Sequence, residues 1–89
     1  LNLAPTIEAL KEKFDLITGK ELDNIKHKIE ENEYRKVSEF ANFLKGKYLG
    51  VIIKKFKNIA SNGRDLQYIE FINKLFELQV ESDKPGEHG

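Results

Sequence analysis

Apolar residues recur at Ile7, Leu10, Phe14, Ile17, Leu22, Ile25 and Ile29, mostly three or four apart, which sets them on one face of a helix. Pro5 suits the first turn, because the N–H it lacks would have no partner there. The pattern predicts a first helix over about 5–31. Gly19 is a tolerable flaw in it, costing about 1 kcal/mol relative to alanine. The step from Ile17 to Leu22 is five residues, so the stripe shifts there and the helix bends or changes its packing partner. A helix of about 25 residues runs roughly 38 Å, whereas a compact globule of this length is only about 30 Å across. The stripe therefore overshoots any core the chain could wrap around it. Something else should cover the excess.

Three further helices are predicted. Asn32 reads as the N-cap of a second, over about 33–49, with Tyr34, Val37, Phe40, Ala41, Leu44 and Tyr48 on one side. A third spans about 51–60 and carries Ile52, Ile53, Phe56 and Ile59, with a break at Gly50 before it. The run Val51-Ile52-Ile53 is too short to argue for a strand, and helical context claims it. Ser61 to Asp65 reads as a stop and restart, with Gly63 suited to a left-handed cap and Asp65 to an N-cap. The fourth helix covers about 66–78. The composition then turns polar, so 1–79 is expected to form the helical domain and 80–89 a disordered tail. The expected fold is all-α: a small bundle of about four helices with a long first helix, completed by a second subunit. A homodimer is the commonest symmetric solution for surplus apolar surface.

Composition narrows what such a bundle can do. The chain has 89 residues, zero formal net charge and no cysteine. One small domain of this size buries only about 60–65% of its unfolded surface and is marginal alone. Balanced, interspersed charge gives no long-range field for nucleic acid or a membrane surface. No apolar run approaches the roughly 20 residues that span a bilayer, and no signal peptide opens the chain. Without cysteine there is no disulfide, thiolate metal site or cysteine nucleophile within it; the pattern fits a cytoplasmic protein. Methionine is absent too, even at position 1, which suits a piece of something larger.

Candidate chemistry is sparse. His27 lies on a charged face and His88 in the tail, neither at metal-ligand spacing from a second ligand. Glu30, Glu31 and Glu33 read as a solvated helix end, not a desolvated acid–base pair. No glycine-rich phosphate loop is present. Gly46 and Gly50, four apart, would allow a close helix approach or a helix break. The one charged signal is Lys45, Lys47, Lys54, Lys55 and Lys57, a stretch without an acid. It could contact phosphates in a small helical nucleic-acid-binding domain. It also reads as the solvated back of helices, and no array suited to base edges accompanies it.

Specific segments carry a resemblance. Pro5-Thr6-Ile7-Glu8-Ala9-Leu10-Lys11-Glu12-Lys13 is similar to the Pro-Thr-Ile-x-x-Leu-Arg-x-Lys start of the C-terminal dimerisation domain of glutamyl-tRNA reductase. Glu21-Leu22 falls where that family has a Glu-Leu pair. Lys47-Tyr48-Leu49 resembles its Asn-Lys-Leu-Leu-His segment, Phe56 to Ala60 its Leu-Lys-x-x-Ala, and Leu75-Phe76-Glu77-Leu78 its closing Leu-Phe-x-Leu. The ordered set covers most of 3–78. Gly50-Val51 stands where many relatives have His-Pro, Gly46 where they have Asn, and Lys11 where they have Arg.

The resemblance implies a parent enzyme that uses NADPH to reduce glutamyl-tRNA to glutamate-1-semialdehyde for tetrapyrrole synthesis. Its cysteine nucleophile and its dinucleotide site lie in other domains. This chain is then expected to hold no catalytic residue, cofactor or metal, and to act as a homodimerisation module. The residues expected at the dimer interface are Ile7, Leu10, Phe14 and Ile17 from the first helix, with Phe40, Leu44 and Tyr48 from the second.

Overall fold

A computed structural model describes residues 3–60 and 65–80. Three helices carry the fold, α1 (Ala4–Ile25), α2 (Glu31–Ala60) and α3 (Asp65–Leu75), with no strand among the described residues. The all-α class holds. The number of helices does not: the second and third expected helices are one continuous α2 of 30 residues, about 45 Å long.

Gly50 fails to break α2 because the stripe on either side of it is in phase. Leu49 and Phe56, seven apart, are both buried in the same core cluster, so unwinding at Gly50 would pull one of them out. Gly46 and Gly50 are not points of close approach either. A Cβ placed on Gly19, Gly46 or Gly50 would meet nothing within 4 Å. Each sits in a helix interior at a cost of about 1 kcal/mol relative to alanine. Gly19→Ala, Gly46→Ala and Gly50→Ala combined should therefore raise unfolding free energy by about 2–3 kcal/mol, read from the urea midpoint.

α1 ends at Ile25 instead of about Glu31. Residues 26–29 form a turn in which the Lys28 N–H donates to the Ile25 carbonyl at 2.9 Å. It contains no glycine or proline, so residue type gave no signal for it. The Lys26 ammonium lies 5.9 Å from the centroid of the Tyr34 ring and ties the turn's two flanks together. α2 begins before Asn32: the Tyr34 N–H donates to the Glu30 carbonyl at 2.8 Å, and Glu31 and Glu33 occupy the first turn. Acids there complement the helix dipole. Asn32 is thus inside the helix and not its cap.

α3 starts at Asp65, within one residue of expectation, and stops at Leu75, three residues early. Its end is a Schellman cap. The Leu78 N–H donates to the Asn73 carbonyl at 2.8 Å, the Glu77 N–H to the Lys74 carbonyl at 3.2 Å, and Glu77 holds φ at 53°. A left-handed conformation costs an L-residue about 1–2 kcal/mol. Glu77→Gly should stabilise the domain by roughly 1 kcal/mol in the same urea titration, after allowing for glycine's extra unfolded-state entropy. The expected cap at Gly63 and residues 81–89 of the expected tail over 80–89 lie outside the described residues.

The two long helices form an antiparallel hairpin, and Asp15 on α1 faces Lys45 on α2 at 2.5 Å. α3, only about 16 Å long, folds back over one end of that hairpin. The core sits there, where Leu10, Leu49, Phe56 and Ile72 meet from all three helices. Phe56 packs edge-on against Tyr68 and Phe76 at 6.1 and 6.0 Å, and burial raises the Tyr68 phenol above its ordinary value. Thr6 is fully buried and donates its hydroxyl to Asn73 Oδ1 at 2.9 Å, joining α1 to α3. The result is elongated and thin: the radius of gyration is 16.6 Å and the extents are 52 × 32 × 16 Å. A compact chain of this length would have a radius of gyration of about 12 Å.

Candidate functional site

Beyond the reach of α3 the molecule is only two helices thick. The C-terminal half of α1 faces the N-terminal half of α2 there, and an apolar groove of about 510 Å³ runs between them. Phe14, Ile17, Leu22 and Ile25 contribute from α1; Val37, Ala41, Leu44 and Tyr48 contribute from α2. On α2, Val37, Leu44 and Tyr48 belong with Phe40 and Val51 to one row, spaced three or four apart. That row lies more than a third of a turn from the side bearing Leu49 and Phe56. α2 thus has two apolar faces, and its own chain covers one of them.

The expected interface residues divide along this line. Ile7 and Leu10 are buried in the chain's own core under α3. Phe14 and Leu44 are half-buried in the groove. Ile17 is 55% exposed and Tyr48 62% exposed along it, and Phe40, 61% exposed, stands on the same row of α2. Four of the seven therefore line one continuous surface. Leu22, Ile25, Val37 and Ala41 line it too and were not singled out, although their spacing of three and four was readable. A second exposed apolar pair, Phe71 and Leu75, lies on the outer side of α3.

The lysine stretch does not make a single basic surface. Lys45 is turned inward, donating to Asp15 Oδ1 at 2.5 Å and to Asn42 Oδ1 at 2.8 Å. Lys47, Lys54 and Lys57 follow the outer side of α2, while Lys55 falls elsewhere around the helix. Lys47 lies 5.3 Å over the exposed Phe43 ring in a cation–π contact. This is the behaviour of a solvated helix back. Among the described residues, no three His, Cys, Asp or Glu side chains are placed to hold a metal. None of the described helices is long and apolar enough to cross a membrane. What the groove can do is bury apolar surface.

No solved structure matches the chain. A glutamyl-tRNA reductase of Carboxydothermus hydrogenoformans is 36% identical over 86 aligned positions that cover 93% of this chain and 19% of that protein. The chain spans about a fifth of that relative's length. The family model described as "Glutamyl-tRNAGlu reductase, dimerisation domain" matches residues 1–78. That match runs through all three helices and both walls of the groove, and the chain belongs to the glutamyl-tRNA reductase dimerisation-domain family.

Proposed function

We propose that this chain joins two copies of an NADPH-dependent glutamyl-tRNA reductase, a cytoplasmic enzyme that makes glutamate-1-semialdehyde for tetrapyrrole synthesis. It does so by pairing with its own twin. The module is not catalytic. In this reading NADPH and glutamyl-tRNA bind to the parent enzyme's other domains.

The observation that supports the reading is the open groove at the thin end of the hairpin. A two-helix layer has no interior of its own, so its apolar sides stay wet until a further layer covers them. Phe14, Ile17, Leu44 and Tyr48 line the contact, with Phe40 beside it. Ile7 and Leu10 act indirectly by holding α3 at the other end. Each 100 Å² of apolar surface covered contributes about 2.5 kcal/mol gross, offset by the costs of association. Sedimentation equilibrium of the chain at micromolar concentration provides the test. A mass near twice 10.3 kDa is expected. A well-folded chain that stays at the single-chain mass would refute the reading.

A further inference from the structure

We infer that the two copies lie antiparallel, groove against groove, with Glu21 of each copy paired to Lys45 of the other. The inference rests on the dimer reading above and specifies its register.

The groove lining contains two charged residues, Glu21 and Lys45, of opposite sign, and the rest is apolar or small. Any partner that covers the groove takes both charges out of water, which is costly unless they are paired. An apolar helix from an unrelated protein would leave both without a counter-charge. A two-fold contact sets residue i against j and j against i, so a second copy supplies both counter-charges at once. The Glu21 carboxylate has no ion pair among the described residues. Lys45 has three N–H donors; Asp15 and Asn42 take two, and the third is left for a carboxylate arriving across the groove.

The register agrees. The Asp15–Lys45 contact sets Lys45 level with residue 15 of α1, about 9 Å along the helix axis from Glu21. A two-fold axis crossing the groove midway between those levels carries Glu21 of one copy to the level of Lys45 of the other. Thr18 and Ala41 sit at that midpoint, and they are the small residues of the lining. Small side chains at the crossing let the two layers approach closely, while Phe14 and Tyr48 on one side and Ile25 and Val37 on the other fill the flanks.

Sedimentation of charge-reversal variants decides the matter. Glu21→Lys should weaken self-association at least tenfold, because like charges then meet twice across the contact. Lys45→Glu should do the same; it carries Asp15→Asn as well, which removes a like-charge neighbour within the chain. Circular dichroism checks that each chain is folded. Mixed in equal amounts, the two chains should form a heterodimer with affinity within a few-fold of wild type, since that pairing regains both contacts. If wild type dimerises and either variant self-associates as tightly, or if mixing restores nothing, the Glu21–Lys45 pairing is overturned while the dimer stands. A monomeric wild-type chain would overturn both.

Discussion

Leu10→Ala should remove about 2–5 kcal/mol of the chain's stability, a large share of all it has. Leu10 is fully buried, at the point where α1, α2 and α3 meet through Leu49, Phe56 and Ile72. Removing a buried leucine side chain costs about 2–5 kcal/mol, because the cavity left behind only partly collapses. A domain of this length has a total stability of about 5–10 kcal/mol, toward the lower figure where the core occupies only one end. α3 is held there as well by the Thr6–Asn73 hydrogen bond and the aromatic set around Phe56. Far-ultraviolet circular dichroism against urea is the measurement. A midpoint unchanged from wild type would mean that the three-helix end is not what stabilises the chain. Chain concentration must be held fixed in the comparison, since dimerisation adds apparent stability by mass action.

Leu44→Asp should have the opposite profile, a folded chain that no longer dimerises. Leu44 is half-buried in the groove and outside the core cluster. A carboxylate there stays hydrated in the single chain and is desolvated only when a partner closes over it. The dissociation constant should rise by at least 100-fold with little loss of helicity, and Ile17→Asp should behave alike. Leu16→Asp is the control. Leu16 is 75% exposed, more so than Ile17, but it points away from the groove, so its replacement should leave association intact. If Leu16→Asp dissociates the chains as strongly as Leu44→Asp, exposure and not the groove governs the contact.

Particular residues show which features were legible in the sequence. The periodicity of Ile7, Leu10, Phe14 and Ile17 located α1 and its apolar side, and the surplus stripe pointed to a missing layer. The surplus is real, but it belongs less to a first helix that is too long than to a hairpin that α3 covers at one end only. Two of the misplaced boundaries failed for opposite reasons. Gly50 looks like a break, yet the core contacts of Leu49 and Phe56 outweigh about 1 kcal/mol of glycine propensity. The real reversal at residues 26–29 carries no breaker, because packing of α1 against α2 sets it and not local preference. Within the expected interface, periodicity could not tell Ile7 and Leu10 from Phe14 and Ile17. All four share one stripe, and only the length of α3 decides which of them stay uncovered. The Thr6–Asn73 bond joins residues 67 apart in sequence, and no local pattern announces such a pair.

The groove itself can be observed directly at a dimer mass of about 20 kDa. Equal amounts of isotope-labelled and unlabelled chains are mixed, and filtered nuclear Overhauser spectra then report only contacts between copies. Cross-peaks from the methyl groups of Leu22, Ile25 and Val37 to the rings of Phe14 and Tyr48 in the other copy are the expected result. Intermolecular cross-peaks confined to Phe71 and Leu75 on the outer side of α3 would contradict it and move the interface to the opposite end of the molecule.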